Sequence, residues 1–197
     1  WAKNKRLRLV KTSKPVDRIK AKYSTLAINA AKKLLPPAAT AGLLFSSVAG
    51  VYANPTGGQV VGGSGNITQN GTTMTITQAT DKMSINWQDF SIGAKEKVVF
   101  QQPGAQSVAL NRVLGNNAST IYGQLSANGQ VFLINPNGVL FAKGAQVNVG
   151  GLVASTLNLS DKNFMAGNYT FSGAGGSVLN QGTITADGGY VALLGNQ

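Results

Sequence analysis

Short apolar runs recur along the second half of the chain at a step near 20 residues, and this recurrence constrains the fold more than any other feature. The runs lie at Val131, at 149–152, at 169–171 and at Val191, with Gly- or Asn-bearing corners between them. Each has the length of a strand, and β-branched and aromatic residues are frequent in them. The stretch VLNQGTITADGGYVALLG, residues 178–195, reads as one unit: an Asn-Gln-Gly turn, Ile184 directed inward, an Asp-Gly-Gly turn and the next strand. A repeat of this size cannot bury its apolar face alone and must stack on its neighbours. The fold class expected is therefore all-β, a parallel β-helix. Over residues 54–197 it would have roughly seven coils and a length of about 34 Å at the usual interstrand spacing.

The most apolar stretch, GQVFLINPNGVLFAKG at 129–144, contains two strand-length runs either side of Asn135, Pro136, Asn137 and Gly138. Pro136 presets φ for the second position of a type I turn, Asn135 can cap it, and Gly138 suits the fourth position. A tight hairpin would need positive φ where Pro136 stands, so the two strands are expected to meet at a corner and not to fold back on each other. Alternation over 73–77 within the stretch 59–90 suggests an antiparallel cap over the first coil, since bare terminal strands would pair with other chains. Trp87 and Phe90 are read as core anchors beneath that cap. A β-sandwich remains the structural alternative, because Asn-Gly or Asp-Gly dipeptides at Asn70, Asn128, Asn137 and Asp187 could close hairpins.

Charge divides the chain. Residues 1–53 hold 11 of the 17 Lys and Arg against one acid, Asp17, while residues 54–197 hold 6 bases and 5 acids. The leader has a long basic region, an apolar stretch from about Ala38 to Ala49, and small residues before Ala53, the pattern of an extended Sec signal peptide. Cleavage is expected between Ala53 and Asn54, leaving 54–197 as one domain, and the partners implied are the Sec machinery and signal peptidase. Pro36-Pro37 shortens the apolar stretch below bilayer thickness, which argues against an anchor. The remainder lacks the basic face that nucleic acid requires, so no nucleic-acid partner is expected. With no Cys, stability must come from backbone pairing and a core.

Chemistry is sparse. The sequence has no His and no Cys, and the acids Asp81, Asp89, Glu96, Asp161 and Asp187 are scattered, so no metal, cofactor or catalytic residue is assigned. Asp81-Lys82 and Glu96-Lys97 read as solvated turn charges. Enzymes acting on acidic polysaccharides occur among parallel β-helices, but Arg112 and dispersed Lys residues support that reading thinly. Asn-X-Ser/Thr triplets at Asn66, Asn70, Asn117, Asn158 and Asn168 are possible glycosylation acceptors that also arise by chance in so Asn- and Thr-rich a chain.

Together, INWQDFSIG (85–93), the block VVFQQPGAQSVALNRVLGNNASTIYGQLSANGQVFLINPNGVLFAKGAQVNVGGLVAST (98–156) and the closing NQGTITADGGYVALLG resemble the two-partner secretion exoproteins, the filamentous haemagglutinin family, in its high-molecular-weight adhesin branch. The resemblance implies an N-terminal secretion domain of a larger exoprotein, folded as a right-handed β-helix that nucleates folding at the surface of a Gram-negative bacterium after passage through the periplasm. It implies an outer-membrane barrel transporter with periplasmic strand-binding domains, and host cell-surface receptors for the full-length protein. The family's Asn-Pro-Asn-Gly secretion motif falls on Asn135, Pro136, Asn137 and Gly138. Its Asn-Pro-Asn-Leu motif has no counterpart, which fits the branch and leaves contacts near Asn116 and Asn117 unassigned. Partner domains would capture alternating segments by β-augmentation, with Thr72, Thr73, Met74, Thr75, Ile76, Thr77 and Gln78 as a possible docking strand. The competing readings are a stand-alone module binding glycans or host proteins, and a polysaccharide-active enzyme.

Overall fold

A computed structural model of the protein describes residues 54–196. The basic leader and Ala53 lie outside the described residues, and Asn54 within them. No helix among the described residues is long and apolar enough to cross a membrane.

Period-two patterning builds the strands. In β3 (Thr73–Gln78), Met74 and Ile76 are buried while the threonines face outward. The same alternation buries Val98 and Phe100 in β5 (Lys97–Gln101), Leu125 in β8 (Gln124–Ala127), and Val147 and Val149 in β11 (Gln146–Val149). These strands stack in parallel with β14 (Thr183–Ala186) to form one wall. A second wall stacks β4 (Lys82–Trp87), β6 (Val108–Val113), β9 (Gln130–Ile134), β12 (Gly151–Ser155) and β15 (Val191–Leu194), again in parallel. A third, narrower wall holds β7 (Ser119–Ile121), β10 (Val139–Phe141) and β13 (Val178–Asn180), and the Ile92–Ile121 bridge extends it by one level. The chain visits the walls in rotation, β5 to β6 to β7 and then β8 to β9 to β10. That rotation is a parallel β-helix, and it excludes the sandwich.

The ladder has five rungs in each of its two long walls, not the seven expected. Partners on successive rungs are 20 residues apart from Ser119 to Val139 and 27 apart from Val98 to Leu125. The last step widens to 37 residues, from Val147 to Ile184. Dividing the length by 20 counted two segments that do not stack. One is the cap: β1 (Gln59–Gly62) runs antiparallel on β4, and β2 (Gly65–Asn70) antiparallel on β3. The cap is thus smaller than 59–90, because β3 and β4 already belong to the first parallel rung. Only the Asn70-Gly71 dipeptide closes a hairpin; Asn128-Gly129, Asn137-Gly138 and Asp187-Gly188 sit between walls, at corners of the helix.

The second segment, 157–177, leaves the ladder after β12 and crosses the outer face of the second wall as a strap. It contains a helix the sequence reading did not anticipate, α1 (Asp161–Ala166). Ser160 caps its start by accepting from the Asn163 amide at 3.2 Å, and Gly167 ends it at φ 80°, a left-handed position that glycine takes without a Cβ penalty. Phe164 is its one buried side chain. It joins Val108, Leu110, Phe132, Ile134, Val153 and Leu159 in a cluster separate from the core inside the coils. Tyr169 and Phe171, expected to belong to a rung, instead pack on Phe132 in this strap, at ring-centroid distances of 5.0 and 6.2 Å.

Inside the coils, Met83, Ile85, Trp87, Phe90, Phe100, Leu125, Leu133 and Phe141 form the main core. Trp87 and Phe90 meet edge to face, 5.5 Å between centroids. At the corner between the first and second walls Gly150 lies against Gly129, and a Cβ on Gly150 would sit 2.9 Å from the Gly129 carbonyl. Stacked corners leave no room for one there.

Candidate functional site

The four residues Asn135, Pro136, Asn137 and Gly138 carry the chain from the second wall to the third. The Gly138 amide donates to the Asn135 carbonyl at 3.1 Å and closes the turn, with Gly138 at φ 124°. Asn135 is fully buried. Its amide nitrogen donates to the Asn117 carbonyl at 2.9 Å and the Ser119 hydroxyl at 3.0 Å. Its side-chain oxygen accepts from the Asn137 backbone at 3.0 Å and from the Asn137 side chain at 3.3 Å. Two donors and two acceptances use the side-chain amide well, which is what burial requires.

Asn137 is exposed, but its amide reaches the Gly115 carbonyl at 2.9 Å. The backbone ties the corner upward, Asn135 donating to the Ser155 carbonyl at 2.9 Å and Gly176 to the Pro136 carbonyl at 2.8 Å. One corner therefore joins the coil below, the coil above and the end of the strap. The outward surface it offers is Pro136 and Asn137.

The strand containing Thr73, Met74, Thr75, Ile76, Thr77 and Gln78 is paired on both edges, by β2 and by β5. Thr72 accepts a bond from the Asn54 side chain at 3.1 Å through its carbonyl. Asn54 itself is buried. The open edge on this side of the ladder belongs to β2. Asn66, Asn70, Asn117, Asn158 and Asn168 are all exposed, so accessibility does not rank the five triplets.

Charged residues that read as scattered have specific tasks. Arg112 pairs with Asp161 at 3.0 Å and also donates to Asn86 at 3.2 Å, fixing α1 to the second wall. Lys82 is half-buried, not a solvated turn charge, and donates to the Met165 carbonyl at 3.0 Å. Glu96 accepts from the Gly93 amide at 2.8 Å and closes its own turn. Sequence reasoning also passed over two buried amides. Asn111 accepts from the Trp87 indole at 3.0 Å, and Gln102 donates to Gln78 at 3.0 Å while accepting from the Gly129 amide at 3.0 Å. Both partners lie a full coil away, so nothing local in the sequence announces them. Among the described residues no group of three or more His, Cys, Asp or Glu converges to hold a metal ion. A shallow groove of about 470 Å³ on the first wall is lined by Gln101, Ser126, Asn128 and Asn148 among others, with no charged side chain.

The two ends of the ladder differ. At the start, β1 and β2 cover the first rung in antiparallel register. At the far end β13, β14 and β15 each pair on one side only. Val191 and Leu193 align with the buried Leu152 and Ala154 of the preceding rung, yet they are 45% and 40% exposed. Leu179, 54% exposed, lies on the outer side of the third wall, in register with Leu140.

A cysteine-free parallel β-helix with antiparallel strands over its first rung and an Asn-Pro-Asn-Gly corner at its centre belongs to the class of stacking repeat modules. The family model described as TPS secretion domain matches residues 51–197, and the chain belongs to that family. It is the secretion domain of a large exoprotein. Two relatives from Haemophilus influenzae bear the name heme/hemopexin-binding protein. One, from strain Rd, is 44% identical over 138 residues, covering 68% of this chain and 15% of its own length. The other is 50% identical over 99 residues, covering 50% of this chain and 11% of its own length. The crystal structure of the HMW1 secretion domain from Haemophilus influenzae is similar, with a TM-score of 0.65 and 36% identity over 73% of this chain and 45% of that one. The chain spans about one-seventh or less of the relatives' length.

Proposed function

We propose that a dedicated outer-membrane barrel transporter recognises this module in the periplasm of a Gram-negative cell, and that the module then folds outside as the first coils of a longer β-helix. The order of the ladder carries this reading: antiparallel β1 and β2 cover its start, and the parallel rungs that follow stack in chain order, so that each rung is the template for the next. Sec export and removal of residues 1–53 between Ala53 and Asn54 precede recognition. Burial of Asn54 supports that order, because a peptidase reaches the bond more readily before folding.

Thr72 to Gln78 can serve as a strand for the transporter's periplasmic domains only while the chain is unfolded, since both edges are taken afterwards. Recognition therefore acts on the extended chain, and the Asn135 to Gly138 corner acts in folding. The module works by binding and folding and has no reaction of its own. Receptor or haem contacts of the whole protein belong to the sequence beyond the module, which has neither His nor Cys, two of the usual haem-iron ligands.

The test is export of the chain from cells that carry or lack the companion barrel. Release into the medium with the barrel and retention in the periplasm without it are expected. Equal release in both overturns the proposal.

A further inference from the structure

The strap at 157–177 comes late in the chain but reaches back to the first rung. Asp161 accepts from the Ser84 hydroxyl at 2.6 Å, across 77 residues, and the Met165 carbonyl accepts from Lys82 at 3.0 Å, across 83 residues. Lys82 also lies 5.9 Å from the centre of the Tyr169 ring. A Cβ placed on Gly62 of β1 would lie 3.4 Å from the Met165 sulfur, so the strap reaches the cap strand as well. Ser84 and Lys82 point away from the coil interior, and Ser84 is fully buried there.

α1 has six residues, far too few to be stable alone. It forms only where Phe164 finds a surface, and that surface comes from three later rungs: Leu110 of β6, Phe132 of β9 and Val153 of β12. Phe164 packs on Phe132 at 6.2 Å and on Tyr169 at 6.0 Å. Arg112 of β6 then fixes Asp161 from beside the first rung. The dependence runs both ways. The strap needs rungs two to four in order to fold, and the outer face of rung one is completed only by the strap.

We propose that the strap is a folding clasp, which locks the first coil and its cap only after the fourth coil is in place. The clasp is a property of the fold and stands apart from the secretion reading. It makes the N-terminal coils a conditional structure: rungs one to three can assemble and come apart until the chain has folded through Phe164. Coupling between two sites is reciprocal, so loosening α1 must loosen β1 and β4, and loosening Lys82 must loosen α1.

Native-state hydrogen exchange on the full chain tests this with Phe164→Ala and Lys82→Met. Phe164→Ala is expected to speed exchange in β1 and β4 at least about fivefold relative to β8 and β11, which the strap does not touch. Lys82→Met, a milder change on the opposite partner, is expected to speed exchange in α1 selectively. Phe164→Leu, which keeps most of the buried volume, should restore protection of β4. Exchange rising equally in all rungs, or only within the strap, overturns the clasp; so does an unchanged α1 in Lys82→Met, which remains readable if Phe164→Ala does not fold.

Discussion

Asn135 is where a single side chain commits two coils to one arrangement. Its four side-chain bonds reach Asn117, Ser119 and Asn137. Asn135→Ala strands the Asn117 carbonyl and the Asn137 amide, and should cost about 1–3 kcal/mol in thermal or denaturant unfolding. Asn135→Asp keeps the shape but directs a buried carboxylate at the Asn117 carbonyl, so it should cost more than the alanine, the reverse of a size-based ranking. Asn137→Ala loses its partly exposed bonds to the Gly115 carbonyl and the Asn135 side chain and should cost about 1 kcal/mol. Secretion should be slowed by Asn135→Ala and not abolished; wild-type export and wild-type stability of both alanine variants would remove the corner's role. Gly150→Ala drives a methyl toward the Gly129 carbonyl, and a melting temperature equal to wild type would refute the close stacking of that corner.

At the scale of elements, Tyr169 in the strap and Tyr190 just before β15 are two tyrosines whose titration affects stability. Burial pushes the Tyr169 phenol above its ordinary value of 10.0, and burial followed by the neighbouring Tyr169 does the same for Tyr190. The folded state holds these protons more tightly than the unfolded chain. Their contribution is therefore complete below about pH 10 and is lost as pH rises through the higher folded values. An unfolding series above pH 10 should show a stability loss that is smaller in Tyr169→Phe; because Lys82 lies 5.9 Å from that ring, Lys82→Met serves as the control for loss of its charge. An identical alkaline loss in Tyr169→Phe and wild type would refute it.

The strap also marks the limit of what the sequence made legible. The middle coils could be read because Val131 and Leu152 stand 21 residues apart on successive rungs, and the Pro136 turn could be read because its φ is set within one residue. The strap could not. One buried residue in a six-residue helix leaves no 3.6-residue period to detect. Its aromatic residues at 169–171 fell by chance on the step expected of a rung. The bonds from Asn135 to Ser119, from Trp87 to Asn111 and from Arg112 to Asp161 span 16 or more residues, and this pairing follows from coil stacking, which no local pattern encodes.

Across the described ladder, rungs built in sequence, each burying the apolar face of the one before, give the chain a direction. The cap and the clasp act on the first coil, and the corner acts at the centre. A chain that folds this way only after crossing the outer membrane is opposed in sliding back, because every closed coil would have to reopen. Leu133, fully buried in the middle rung, isolates that contribution, since Leu133→Asp places an unpaired charge in the core and stops stacking without touching the leader or Thr72 to Gln78. The deciding measurement is pulse-labelled export of wild-type and Leu133→Asp chains through the companion barrel. Normal arrival in the periplasm followed by arrested or sharply slowed release of the variant is expected, whereas release at the wild-type rate would contradict folding as the force that draws the chain out.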